Sequence, residues 1–412
     1  MIKIYPFKAL MPDNLQAAEI ACEPYDVIST EEARSRAAGK PNSFLQIVRS
    51  EIGLPIGTNP YDSAVYQAAA DNLNAFVTRG LLQEVAEPAI YIYRQIMKGR
   101  AQHGVVCTCD AQQYRDDLIK KHEKTRPDKE DDRTRHMLTC NAQSEPVFLT
   151  FRDTAEINRL IEANASGTPL IDFQADDGVA HTIWQVAEPQ KFVDAFARLE
   201  ALYIADGHHR TAGAERAAAA RQQANPKHTG SEEYNRILSV LFPASQLQIL
   251  AYNRVVKDLH GDSPAEVLDK LKQAGKLSET TNPVPGQAGQ ICVYLAGKWY
   301  LLTIPADSID SSDPIGSLDV SLLQTRILES VLGVGDPRTD NRLAFVGGIR
   351  GTRELEQLVD SGEAAIAFSM FPTSIDQLLN VSDAGVIMPP KSTWFEPKLR
   401  SGLFVHRFEP SS

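Results

Sequence analysis

The residues with the clearest chemical capacity sit side by side in D-G-H-H-R, Asp206–Arg210. A short apolar run, Leu202, Tyr203, Ile204 and Ala205, precedes them and reads as a buried strand. An Ala-rich stretch with the composition of a strong helix former follows. The five residues therefore fall on a strand-to-helix turn, where free backbone N–H groups and the positive helix end point at whatever binds. An Arg fork and two imidazoles add to that cradle and suit an anion, most naturally phosphate. The plainer reading makes Asp206 a helix cap, Gly207 a turn residue and the histidines polar surface. The residues alone leave both readings open.

Two further clusters share this character. His122-Glu123-Lys124-Thr125 groups donors, acceptors and a base inside the highly charged stretch Arg115–His136, which Pro127 interrupts. A solvated helix with i,i+4 pairs and a ligand-ordered loop both fit it. Near the end, Asp383–Leu403 carries Lys391-Ser392-Thr393, then Trp394-Phe395, Lys398 and Arg400 on a Pro-stiffened loop. Three cations, two hydroxyls and an aromatic pair would suit a phosphorylated or nucleotide ligand. A surface loop pinned by its two aromatics is the alternative. Tyr252, Asn253 and Arg254 emerge at the end of an apolar strand, where polar groups serve a site or an edge. Gly347–Arg353 (G-G-I-R-G-T-R) is another possible anion cradle. Neither a Walker loop nor a G-x-G-x-x-G fingerprint occurs.

The elements that must position these groups read as an α/β alternation. Strands are expected at Ile2–Tyr5, Ala89–Met97, Gly104–Asp110, after Glu145-Pro146, at Thr182–Val186, Ile237–Pro243 and Leu247–Val256. Beyond a boundary near residue 257 come a hairpin at Gln290–Pro305 and three short runs, Leu343–Gly348, Ala364–Ser369 and Val386–Met388. Helices are expected after Ser29 or Thr30, over Tyr61–Arg79, Gln190–Glu200, Ser263–Gly275 and Asp319–Leu332. The 412 residues are 43% hydrophobic and 23% charged, with a net charge of −11. Such a balance argues against general nucleic-acid or membrane-surface binding. The start has no long apolar segment, and no run approaches the ~20 residues that span a bilayer. Five scattered cysteines, with Cys107 and Cys109 on one strand face, read as reduced packing residues. A cytoplasmic protein is expected.

Several motifs occur in order: P-Y-D-V-I-S (Pro24–Ser29), H-E-K-T with Asp132-Arg133, E-P-V-F-L (Glu145–Leu149), I-A-D-G-H-H-R, Y-N-R-V-V (Tyr252–Val256) and M-P-P-K-S-T-W-F-E-P-K-L-R-S-G-L (Met388–Leu403). On them the chain resembles the bacterial and archaeal domain of unknown function family 1015, which supplies no activity. D-G-H-H-R after a strand is also similar to the signature box of the ParB/sulfiredoxin-like superfamily. That group includes nucleotide-binding partition proteins, sulfiredoxin and free-serine kinases that use ADP or ATP. The resemblance implies a ParB/sulfiredoxin-like core with large insertions. It also implies phosphate contacts from Gly207, His208, His209 and Arg210, and a metal- or substrate-directed Asp206. The kinases' N-terminal catalytic Glu has no motif-level match here, and Glu23 and Glu51 are the candidates for it.

The expectation is a mixed α/β fold in two regions, 1–256 with the Asp206 turn and 257–412 with the Lys391 loop. Its expected work is phosphoryl chemistry on a small polar metabolite by a nucleotide-dependent, serine kinase-like enzyme. A phosphatase using the same site on a phosphoserine-like substrate, and a non-catalytic nucleotide-responsive regulator, are the alternatives. Asp206, His122 and Glu123 are the catalytic candidates. Gly207, His208, His209, Arg210, Lys391, Ser392, Thr393 and Arg400 are the candidates for phosphate or nucleotide, and Tyr25, Asp26, Asn253 and Arg254 for substrate. Mg²⁺ held by Asp206 and phosphates, with ATP or ADP as donor, completes the set.

Overall fold

Long β-branched runs seek neighbours on both sides, and here they find them in one mixed sheet. The structure is a computed structural model that describes residues 1–409. The chain forms two units: Met1–Leu247 joined by the segment from Pro397 onward, and Gln248–Glu396. The sequence reading instead put the division after residue 256 and left the C-terminus beyond it. The return at Pro397 has a physical cause. Val405–Arg407 is an interior strand between Ala9–Met11 and Ala142–Gln143, and Val405 and Phe408 are buried in the first unit's cores.

Among the described residues, the large sheet of the first unit has nine strands. Its order runs Ile119–Lys120, Leu202–Asp206, Val147–Phe151, Arg236–Pro243, Arg100–Asp110, Tyr91–Met97, Ala180–Gln185, Ile171–Gln174, with Ile4–Tyr5 paired to Arg100–Asp110. Val147–Phe151 and Arg236–Pro243 are buried at every residue, as largely apolar strands covered on both faces should be. Cys107 and Cys109 lie wholly inside this core.

Helix boundaries follow local chemistry. Thr30–Ala37 starts on a Ser29–Glu32 capping box, and Ser63–Thr78 is capped by Asp62 and buries Val65, Ala69, Leu73 and Phe76. Pro127 does not interrupt a helix. It opens Pro127–Cys140, because the first helical position needs no N–H and suits proline's fixed φ. That helix packs on His208–Ala224 so closely that a Cβ on Gly213 would meet Arg133 Cβ at 2.8 Å.

The second unit is an antiparallel sheet of six strands among the described residues. Their order is Lys276–Thr280, Lys298–Thr303, Gln290–Leu295, Ile366–Met370, Tyr252–Val256, Leu343–Gly347. The run expected as one strand over Leu247–Val256 breaks at Ala251. Gln248–Leu250 pairs with Trp394–Glu396, whereas Tyr252–Val256 joins the larger sheet. No strand forms at Val386–Met388, where Pro389 and Pro390 follow and supply no ladder donors. The expected helix Asp319–Leu332 is α-helical to Leu323 and continues as a π-helix over Gln324–Glu329. Among the described residues no helix is long and apolar enough to cross a membrane.

Candidate functional site

Leu202–Asp206 is apolar until its last residue, so the core holds four side chains and the fifth is delivered to the strand end. A bulge re-aims it: Ile204 pairs with Leu149 but Asp206 with Phe148, leaving Ala205 unmatched, and an extra residue of this kind bends its strand. Gly207 then takes φ +93° and ψ 33° before the helix His208–Ala224 begins. A Cβ at Gly207 would also lie 2.9 Å from Arg210 Nε, so both backbone and space demand glycine. No side chain caps this helix start, and its first-turn amides have no helical acceptors. These amides are hydrogen-bond donors at the place where the sequence led one to expect them.

The charges at the turn are tied together. Asp206 Oδ1 accepts from the Gly207 amide at 3.0 Å, and Oδ2 accepts from Lys398 Nζ at 3.2 Å. Arg210 Nη2 stands 3.6 Å from the same oxygen. Burial pushes the Asp206 carboxyl up, but Lys398 and then Arg210 more than reverse this and hold it well below the usual carboxylate range. Arg210 is buried beneath the turn and donates Nη1–H to the Pro146 carbonyl at 2.6 Å.

His122 and His208 meet edge to face with ring centres 4.4 Å apart. The His122 amide donates to His208 Nε2 at 3.5 Å, which leaves the His208 proton on Nδ1, 3.6 Å from Glu123. Burial lowers both imidazoles to about 3, aided at His122 by the neighbouring His208, so both are neutral at pH 7. His209 Nε2 accepts from the Arg126 amide at 3.2 Å, which ties the H-E-K-T loop to the turn. Beside them Glu145 gathers the Tyr25 amide at 3.0 Å, the Ser401 hydroxyl at 2.9 Å and Arg133 Nη1 at 3.5 Å. Arg133 in turn lies 3.8 Å from the Tyr25 ring centre and grips Asp132 at 2.8 Å.

This convergence of motifs is what a family relationship would leave. The profile described as "Protein of unknown function (DUF1015)" matches residues 4–321. The chain belongs to the DUF1015 family. Curated proteins provide no match. Solved structures similar to it include a conserved hypothetical protein from Pyrococcus furiosus, at 14% identity over 73% of this chain and 95% of that one, with a TM-score of 0.36. A free serine kinase in complex with AMP has 12% identity over 72% and 92%, at 0.36. SbnI with a C-terminal truncation, from Staphylococcus aureus, has 12% over 73% and 87%, at 0.38.

In this DUF1015 chain the first unit brings together Tyr25, His122, Glu123, Gly207, His208, His209 and Arg210 around Asp206, with the exposed Asp26 beside Tyr25. Arg400 belongs to the same unit but is committed elsewhere. It donates to Asp177 and, at 3.4 Å, to His181 Nε2, and lies 3.6 Å from Glu23. Lys391, Ser392, Thr393, Asn253 and Arg254 all belong to the second unit. There the Asn253 side-chain Oδ1 accepts from the Met370 amide at 3.0 Å, and the Ser392 backbone carbonyl accepts from the Thr373 hydroxyl at 2.9 Å. Lys398, read from sequence only as one of three loop cations, and Glu145, given no role there, hold the residues around Asp206 and Tyr25 in place. Both lay inside quoted motifs, E-P-V-F-L and F-E-P-K-L-R, and an acid or a base that breaks an apolar motif was the available signal. Each oxygen of Asp206 accepts one hydrogen bond, from the Gly207 amide or from Lys398, which leaves each a further lone pair. Among the described residues no group of three metal-ligating side chains forms.

Proposed function

We propose that this protein is a nucleotide-dependent phosphotransferase acting on a small polar metabolite, serine kinase-like in its chemistry. The observation that carries the reading is the ionised Asp206–Lys398 pair set beside an uncapped helix start. The likeness of D-G-H-H-R to the superfamily's phosphate-binding box supports it. Phosphoryl transfer asks chiefly for positioning and for positive charge around the moving group. The amides of His208, His209 and Arg210 receive phosphate oxygens, and the Lys398 ammonium offsets their charge. A carboxylate held so far toward its anion is a weak base at neutral pH. Asp206 therefore fixes Lys398 in place, and Glu123, partly exposed and next to the His208 Nδ1 proton, receives the proton of the acceptor hydroxyl.

The test is a thermal-shift screen with ATP, ADP, CTP, serine and phosphoserine, followed by mass-spectrometric detection of phosphorylated product. Nucleotide and serine together stabilise the protein and yield product if the proposal holds. Stabilisation by phosphoserine alone replaces it with a phosphatase, and stabilisation by nucleotide without turnover replaces it with a regulator.

A further inference from the structure

Buried arginines in this protein come with carboxylates: Arg133 with Asp132, Arg210 with Asp206, Arg400 with Asp177. Arg254 does not. It lies on an interior strand of the second unit's sheet, 3% exposed. Among the described residues its guanidinium donates to two carbonyls, those of Tyr252 and, at 3.0 Å, Lys391. The Phe345 ring centre lies 5.4 Å away. Among the described residues no carboxylate pairs with it. Burial lowers it to about 10, so it keeps its proton and its charge at pH 7.

A buried charge without a counter-ion is strongly unfavourable, and backbone carbonyls and a ring face offset only part of that. A second cation stands close by. Lys391 Nζ lies 5.5 Å from the ring centre of Tyr252, whose carbonyl Arg254 holds. Lys391 also has φ +57°, a left-handed conformation that is unfavourable for a residue with a Cβ. The peptide that accepts from Arg254 thus carries this backbone conformation, and its neighbour Ser392 is held through its carbonyl by Thr373 and through its hydroxyl by the Pro389 carbonyl.

We propose that Arg254 and Lys391 form an anion-binding subsite of the second unit, which takes a phosphoryl group in the place now filled by the Lys391 carbonyl. An Arg fork beside an ammonium matches the shape and double charge of phosphate. The inference is independent of the reading of the Asp206 turn.

The test titrates inorganic phosphate into the full chain at constant ionic strength and follows the melting temperature. The expected result is a saturable rise. Lys391→Gln shifts its midpoint at least about tenfold, and Arg254→Met removes the response without lowering the melting temperature in phosphate-free buffer. A midpoint unchanged in both variants overturns the proposal, and if Arg254→Met does not fold, an unchanged Lys391→Gln midpoint overturns it alone. Asp206→Asn separates the two sites. A response retained there supports the second-unit subsite, and a response lost only there assigns the anion to the first unit and overturns it. A parallel ADP titration distinguishes sources: tighter binding through the same two residues identifies a phosphate ester, weaker binding the free anion.

Discussion

Asp206 sits at the end of a buried strand with both oxygens engaged, and its consequences for chemistry come from its partners rather than from its own basicity. Removing its charge should release Lys398. Asp206→Asn is expected to abolish turnover while keeping the circular dichroism spectrum of the fold and lowering the urea midpoint, because it leaves Lys398 and Arg210 without their buried carboxylate, and full activity in that variant would remove the turn from the mechanism. Lys398→Met should lower kcat by about 10²–10³ with a smaller change in KM, the cost typical of one preorganised electrostatic contact. Histidines give a separate, measurable signature. His122, His181 and His208 fall to about 3 and His136 to about 4 in the fold, burial being the first cause in each, against about 6.5 in an unfolded chain. The unfolded state then binds more protons between those values. The associated stability is complete above pH 6.5 and is lost as pH falls, by up to about 1.4 kcal/mol per pH unit for each histidine. Urea unfolding at pH 7, 6 and 5 should show this slope, and His122→Asn should flatten it. Asp206 adds its loss only below about pH 4, since its depressed value protects it at higher pH.

At the scale of elements, the turn works because Gly207 carries a backbone that no other residue accepts cheaply. Gly207→Ala combines a left-handed φ with a contact of 2.9 Å to Arg210 Nε. It is expected to cost roughly 1–2 kcal/mol or more in urea unfolding and to weaken nucleotide binding in step. Elements whose ends are set by local chemistry were readable from sequence: the Ser29 box, the strand into Asp206 and the hairpin at Ala296-Gly297 all formed where their residues called for them. Misreadings occurred where one local signal has two meanings. Pro127 can break a helix or begin one, and only the packing of Pro127–Cys140 on His208–Ala224 decides. The apolar run through Ala251 has no residue that announces a change of partner sheet. The Ala205 bulge likewise left no mark, because a bulge is a property of two strands and not of one.

Across the whole molecule, sequence order conceals which motifs meet. The Asp206 partners Lys398 and Pro146 (through Arg210) come from distant parts of the chain, and their types suggested a site although nothing in the sequence stated the pairing. Gln248–Leu250 and Trp394–Glu396 run antiparallel, with Gln248 opposite Glu396. The second unit therefore begins and ends on one short ladder. A fragment of residues 248–396 is expected to unfold cooperatively in urea on its own, and a non-cooperative transition would contradict this. Ending the chain at Glu396 should prevent the first unit from folding, since Val405–Arg407 is interior to its sheet.

That same return has a consequence for synthesis. Lys398 lies 192 residues after Asp206, and chains lengthen at about 5–20 residues per second. For roughly 10–40 seconds a growing chain carries its buried aspartate without the cation that neutralises it. During that interval the second unit is made and has time to fold, while the first remains a sheet lacking its last strand. The Asp206–Lys398 pair thus forms only after the whole second unit has been made.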